Sequence, residues 1–253
     1  MKGKNVVITG ASAGIGAACA EVFAQNGANL VLTARRIEKL QKNAEALKKS
    51  YNVNIHTIQM DVRNYEQVKY EFENLPVEFQ KIDVLINNAG KALGIEKIQE
   101  GKLDDWEEMI DTNVKGLLYV SKVIMPMLIK QNYGTIINIG SIAGHEVYPG
   151  GSVYCATKHA VNAISKGMGM DLNGTNIRVT SIDPGMVETE FSLVRFHGDA
   201  ERAKNVYNGL EPLTGKDVAD IALFVATRPP HVDLREIIVT PTAQASATVV
   251  SRK

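Results

Sequence analysis

Tyr154 and Lys158 stand four positions apart, and Ser141 precedes the tyrosine by thirteen. Residues four apart on a helix share a face, one turn above the other. A lysine ammonium held there favours the phenolate and draws a tyrosine pKa down from about 10 toward neutrality. A tyrosine poised near the working pH can serve as general acid or base. Ser141 follows the apolar run Gly134-Thr135-Ile136-Ile137-Asn138-Ile139-Gly140, which predicts a buried strand. Its hydroxyl then lies at a strand's carboxyl end, where it can hold a substrate oxygen beside Tyr154. Taken alone, the pair also reads as a helix face with a half-buried aromatic and a snorkelling lysine.

A second constellation lies near the N-terminus. Asn5-Val6-Val7-Ile8-Thr9 predicts a short buried strand, and a helical pattern runs from Ala17 to Gln25. Between them lies Gly10-Ala11-Ser12-Ala13-Gly14-Ile15-Gly16, a G-x-x-x-G-x-G spacing rather than the common G-x-G-x-x-G. Glycines there let the backbone turn sharply and approach a ligand. The helix directs free N–H groups and its positive dipole end at the loop, which suits a pyrophosphate. A third signal, Asn87-Asn88-Ala89-Gly90, follows the strand-like Val84-Leu85-Ile86.

The elements that must position these residues alternate. Strand-like runs cover 5–9, 29–33, 53–60, 83–86, 134–140, 176–182 and 236–240, and helical patterns cover 15–26, 37–50, 64–75, 104–131, 153–172 and 217–227. Such alternation predicts an α/β fold: a single-domain, Rossmann-type, doubly wound parallel sheet of about seven strands with helices on both faces. Ligands of such sheets bind at the carboxyl ends of the strands near the switch point. The chain of 253 residues reads as one catalytic domain, 1–253. One long irregular stretch, 184–216, has the length of a lid.

In this order, the three signals resemble the short-chain dehydrogenase/reductase superfamily over nearly the full length. The resemblance maps the glycine turn to Gly10, Gly14 and Gly16, with Ser12 and Ile15 between. It places Asn88, Ala89 and Gly90 on the ribose side. It assigns catalysis to Asn113, Ser141, Tyr154 and Lys158, and a P-G segment to Pro184 and Gly185, with Val187 and Thr189 beyond. Asp61 and Val62 would border the adenine. Lys158 would reach the nicotinamide ribose as well as the tyrosine, Asn113 would hold through its backbone a water leading from Lys158 to solvent, and 184–216 would be a flexible lid. The implied reaction is reversible hydride transfer between a nicotinamide and a secondary alcohol or ketone. After the second strand, Leu32-Thr33-Ala34-Arg35-Arg36-Ile37 has no acid before Glu38. Arg35 and Arg36, with Ser12, suit a ribose 2′-phosphate and so NADP, because guanidinium grips phosphate in a fork; the alternative is that both arginines are solvated at a helix start.

Narrower strings, including Lys91-Ala92-Leu93-Gly94, Tyr148-Pro149-Gly150-Gly151-Ser152-Val153-Tyr154 and Thr189-Glu190-Phe191, resemble NADP-dependent 3-hydroxy acid dehydrogenases. A buried substrate carboxylate needs a cationic partner. Arg195 is the first candidate and His197 the second, against the reading that both pair with Glu190 or Asp199. The same catalytic residues would serve reduction of another ketone, such as a 3-ketoacyl thioester, pterin side chain, sugar or diketone. A non-catalytic NADP-binding regulator is the reading of another class.

Lys+Arg and Asp+Glu are both 28 and the net charge is zero, so no basic excess calls for nucleic acid. No stretch approaches the eighteen apolar residues of a membrane span. Cys19 and Cys155 read as buried hydrophobes; they supply neither a disulfide framework nor a metal-ligand pattern, and point to a cytoplasmic protein. Asp104 and Glu107 resemble a capping box ahead of Trp106, itself a packing or interface residue. His145 and Glu146 read as exposed loop, and Met186 and Val187 as an apolar wall. The resemblance implies a homotetramer built on helices 104–131 and 153–172. The tail 241–253 would meet a neighbour or fray.

Overall fold

Apolar runs of four to eight residues can bury both faces only inside a parallel sheet covered by helices, and they do so in the computed structural model, which describes all 253 residues. The strands are β1 (Asn5–Thr9), β2 (Asn29–Ala34), β3 (Ile55–Gln59), β4 (Val84–Asn87), β5 (Gly134–Ile139), β6 (Ile177–Pro184), β7 (Val187–Glu188), β8 (Leu213–Thr214) and β9 (Glu236–Val239). Seven form one parallel sheet in the order β3-β2-β1-β4-β5-β6-β9, and β7 and β8 pair as a small separate ribbon. The helices are α1 (Gly14–Gln25), α2 (Ile37–Tyr51), α3 (Tyr65–Glu73), α4 (Leu103–Ile110), α5 (Leu117–Gln131), α6 (Ser152–Asp171), α7 (Phe191–Arg195), α8 (Ala200–Asn205) and α9 (Gly215–Ala226).

Alternation along each strand divides the core in two. Val6, Ile8, Leu30, Leu32 and Ile86 face α1, α2 and α9, while Val7, Val31 and Leu85 face α3, α5 and α6. Burying each such side chain stabilises the fold by about 1.5–3 kcal/mol. Some buried polar strand residues pair across the sheet: Asn87 Nδ2 donates to Asn138 Oδ1 at 2.9 Å and to Ser121 Oγ at 3.1 Å, while Asn87 Oδ1 and the hydroxyls of Thr33 and Thr180 are left without a partner.

Four expectations change. The long helix 104–131 is broken into α4 and α5 by a π-helical turn, Asp111–Gly116, which carries Asn113. Such bulges widen the helical ladder and mark functional positions; here Asn113 is drawn toward the Asn87–Gly90 turn. The Asp104–Glu107 capping box does not form, because α4 starts at Leu103 with Lys102 as an uncapped N-cap. Segment 184–216 is not irregular: it contains β7, α7, α8 and β8, and Tyr207 Oη donates to Val187 O at 2.9 Å. The tail folds back on this same segment, with Arg252 Nη2 donating to Val206 O at 3.1 Å and Lys253 N to Gly209 O at 2.9 Å.

At the junction of β5 and β6 the chain tolerates no side chain on Gly140. A Cβ there would lie 1.7 Å from Asp183 Oδ1, and Asp183 is fully buried, held by Ser181 Oγ at 2.6 Å and His145 Nε2 at 2.8 Å. His145 is therefore half-buried and bound rather than an exposed loop residue, and Glu146 accepts the Ala247 N–H at 2.7 Å. Gly140→Ala is expected to destabilise the fold by about 1–3 kcal/mol through overpacking, read as a lower urea midpoint with an unchanged m-value.

Candidate active site

Strand order reverses between β1 and β4, and a cleft of about 710 Å³ opens at the carboxyl ends of the strands there. The Thr9 hydroxyl accepts the N–H groups of Asn88 and Ala89, each at 3.0 Å. Asn88 Nδ2 donates back to Thr9 O at 2.8 Å and Gly10 O at 3.2 Å. Gly10 and Gly14 have φ of +67° and +56°, a region open chiefly to glycine. Gly16 does not line the cleft: it lies beneath the turn, where a Cβ would stand 2.4 Å from Asn88 Nδ2 and 2.5 Å from Gly10 O. Ala13 gives α1 no side-chain cap and no acid occupies its first turn. Its free N–H groups and dipole thus act on the wall formed by Gly10, Ser12, Gly14 and Ile15, a surface that fits a pyrophosphate.

At one end of the cleft, Arg36 Nη2 lies 3.4 Å from Ser12 Oγ and 3.0 Å from Glu190 Oε2. Lys39 binds the other oxygen of Glu190. Arg35 reaches Glu108 Oε1 at 3.4 Å, and that carboxylate also receives Lys91 and Arg63. Hydrogen bonding from Lys91 is the main reason the Glu108 carboxyl is held below its ordinary range. Asp61 and Val62 border this end. Burial would raise the Asp61 carboxyl, but hydrogen bonds and charge from Arg63 bring it below the usual value. Forked guanidinium, ammonium and hydroxyl donors in one place fit the 2′-phosphate of NADP.

At the other end the residues expected to transfer a proton line one wall. Ser141 ends the β5 turn, its Oγ accepting from Ala143 N at 3.1 Å and donating to Pro184 O at 3.4 Å. Tyr154 and Lys158 share a face of α6 and are both buried. Lys158 Nζ donates to Ile139 O at 2.8 Å and stands 6.0 Å from the Tyr154 ring centre. Pro184, Gly185, Met186, Val187 and Thr189 complete the wall with Asn88, Ala89 and Gly90. Arg195 joins the site from α7: Nε donates to Gly94 O at 3.1 Å and Nη1 to Tyr148 Oη at 3.0 Å, with the guanidinium carbon 5.8 Å from the Tyr154 ring centre. The third nitrogen, Nη2, is buried and has no partner. Two hydroxyls, a cation behind them and a free guanidinium donor can bind an anionic alcohol and exchange its proton.

The model of the family described as short chain dehydrogenase matches residues 4–198. The chain belongs to that family. An NADP-dependent 3-hydroxy acid dehydrogenase of Schizosaccharomyces pombe is 43% identical over all of this chain and 98% of its own. Sulfoacetaldehyde reductase 2 of Chromohalobacter salexigens is 44% identical over 98% of both chains. Among solved structures, the closed form of serine dehydrogenase complexed with NADP+ superposes with a TM-score of 0.92 at 42% identity, covering 98% of this chain and 99% of the other.

Within this short-chain dehydrogenase the geometry departs from the sequence reading at two residues, His197 and Tyr154. The Asn113 side chain accepts Lys91 N at 2.9 Å and donates to Lys91 O at 2.8 Å and Thr157 Oγ1 at 3.0 Å. His197 turns away from the cleft to Asp105 Oδ2 at 3.2 Å and is about half exposed. Burial, followed by the neighbouring Tyr148, pushes the Tyr154 hydroxyl up rather than down, although a Ser141 hydrogen bond and the Arg195 charge oppose it. Lys158, committed to the Ile139 carbonyl, does not offset that burial. Lys39 is absent from the sequence reading, where Tyr148 and Glu190 enter only within the narrower strings and Glu190 as an ion partner of Arg195 or His197; the lysine three positions after Arg36 is the readable signal.

Burial pushes Lys158 down to about 8 from its usual 10.5. Below pH 8 the folded chain carries a buried charge. Between about 8 and 10.5 the unfolded chain holds more protons than the folded one, so stability rises with pH there. Lys158→Met is thus expected to exceed the parent in stability by about 3 kcal/mol near neutrality. The gap should narrow as denaturant melts are taken from pH 8 to pH 10, and a constant gap would contradict the assignment.

Proposed function

We infer that this chain is an NADP-dependent oxidoreductase that moves hydride reversibly between the nicotinamide and a short 3-hydroxy acid such as serine, allo-threonine or 3-hydroxypropionate. The observation that carries the substrate class is Arg195 Nη2, a buried donor without a partner beside Tyr154. An unmade hydrogen bond of that kind is costly, and a substrate carboxylate would complete it. Its nearness to Tyr154 requires that carboxylate to lie only a few bonds from the reacting carbon. Tyr148, Phe191, Val194 and Phe196 close the space around it with apolar surface.

The cofactor supplies or takes the hydride when bound. In reduction, Tyr154, which its burial keeps protonated, gives its proton to the forming alkoxide while Ser141 holds the same oxygen. Oxidation runs this transfer in reverse: Tyr154 must first be ionised, its phenolate then takes the hydroxyl proton, and the Lys158 charge, 6.0 Å from the ring centre, lowers the cost of that phenolate without cancelling its burial. Asn113 is a positioning residue, joining the Lys91 backbone to Thr157, whose Oγ1 donates to Tyr154 O at 2.7 Å. Residues 1–253 act as one catalytic domain with 184–216 as the substrate lid.

The chain works as a homotetramer in the cytoplasm. Leu103 and Ile110 on α4, Leu118 and Ile129 on α5 and Met170 on α6 are exposed apolar residues on the helices assigned to the subunit contact, which supports that assembly. Both cysteines are buried and unpaired, consistent with a reducing compartment.

Likeness to a sulfoacetaldehyde reductase favours one other reading, in which Arg195 receives a sulfonate. Nicotinamide absorbance with NADP+ or NAD+ and a panel of L-serine, L-allo-threonine and 3-hydroxypropionate tests the first reading, and NADPH with sulfoacetaldehyde tests the second. Reduction of NADP+ by several acids is expected. Arg195→Ala should raise their KM roughly 10- to 100-fold, the loss of one hydrogen bond to a charged group, with the KM for NADP+ little changed. Unaltered KM values for the acids would remove Arg195 from the site.

A further inference from the structure

Glu190 is out of place for a phosphate site. It is the N-cap residue of α7 and arrives from a part of the chain 151 positions from Lys39 and 154 from Arg36. Its two oxygens engage those two cations, one at 3.0 Å to Arg36 Nη2 and the other on Lys39 Nζ. Arg36 Nη2 is the same nitrogen that lies 3.4 Å from Ser12 Oγ. The donors suited to an external phosphate therefore already hold an internal carboxylate. Side-chain hydrogen bonds from Lys39, then Arg36, hold this carboxyl below its ordinary range, so it stays ionised at neutral pH.

Resting on the reading of the cofactor as NADP, we propose that Glu190 is an internal counter-anion of the 2′-phosphate site, which competes with the phosphate for Arg36 and Lys39 and limits the preference for NADP over NAD. A 2′-phosphate must displace the carboxylate from both cations or sit against it, and like charges that close repel. A 2′-hydroxyl disturbs neither ion pair and meets in Glu190 an acceptor for its proton. The same residue thus lowers affinity for one cofactor and leaves the other unaffected or slightly favoured. Arg36, Lys39 and Glu190 are all between about two-fifths and just over half exposed, so the competition is screened by salt.

Calorimetric titration of the full chain with adenosine 2′,5′-bisphosphate and with 5′-AMP separates this proposal from the reading on which it rests. The parent is expected to prefer the bisphosphate. Glu190→Gln should bind the bisphosphate about three- to tenfold more tightly, the size expected for removing partly exposed charge contacts, with 5′-AMP unchanged or weaker. Lys39→Ala should weaken the bisphosphate alone. The gain in Glu190→Gln should shrink in high salt, and the ratio of kcat/KM for NADP+ to that for NAD+ should rise in the same variant. Unchanged or weaker bisphosphate binding in Glu190→Gln, with the parent still preferring it, overturns the role of Glu190 and leaves the cofactor reading intact. A parent without preference and a variant that gains one supports the proposal, while no preference in either removes both.

Discussion

Two turns of chain meet where β1 and β4 lie side by side, and each closes the hydrogen bonds of the other. The Thr9 hydroxyl takes two N–H groups of the Asn88–Ala89 turn, while the Asn88 amide takes two carbonyls of the glycine turn. The backbones approach so closely that a Cβ on Gly10 would reach 3.0 Å from Ala89 Cα. Buried backbone groups must be paired, and here the pairing is reciprocal, so neither turn can shift without orphaning groups on the other. From this contact the order of the site follows. The glycine turn sets where α1 begins, and the Asn88 turn leads to Lys91, whose backbone grips Asn113. Asn113 reaches Thr157, and Thr157 the carbonyl of Tyr154. Hydrogen bonds on either side of the short backbone stretch from Ala89 to Lys91 thus join the glycine turn to the backbone of Tyr154.

Electrostatics at the Tyr154 end of the cleft are dominated by burial. Both Tyr154 and Lys158 are displaced toward their neutral forms, the phenol upward and the ammonium downward. Only Asp183 raises the lysine value appreciably, from beneath the floor formed by Gly140 and Ser141. The arrangement favours a phenol ready to give up a proton only when negative charge develops on the substrate oxygen. An anionic transition state is matched better than a resting alcohol, as preorganised sites require.

Much of this was legible in the residues because it depends on local signals. Buried parallel strands are short apolar runs, and alternation with helices signals that they pair in parallel with helices on both faces. The sites of Ser12, Arg36 and Ser141 rest on motifs just after strand ends, and those of Tyr154 and Lys158 on a four-residue spacing in the helix that follows β5. What escaped depended on distant partners. Nothing near Glu190 announces that it meets Lys39, and nothing near His197 says that Asp105 is closer than the cleft. The π turn at Asp111–Gly116 holds no proline, and its single glycine reads as one tolerated inside a helix; what accompanies the turn is the grip of Asn113 on Lys91 and the approach of Gly116 to Val62, where a Cβ would come within 2.6 Å of the valine side chain. The direction of the Tyr154 shift is not legible in the sequence, because spacing reveals which charge is near but not how dry the pocket is.

The substrate end of the cleft is walled mainly by two segments that take no part in the sheet. Segment 184–216 contributes Phe191, Val194, Phe196, Val206 and Tyr207, and the tail contributes Gln244, Ala247, Thr248 and Val250. Gln244 fastens the tail to that segment, its Oε1 accepting Met186 N at 2.8 Å. The groups proposed to transfer protons, by contrast, stand just after β5 and on α6. Shape and chemistry are thereby inherited separately: drift in two peripheral segments can carry a lineage from one oxyanion-bearing alcohol to another while the reactive machinery stays under unchanged constraint.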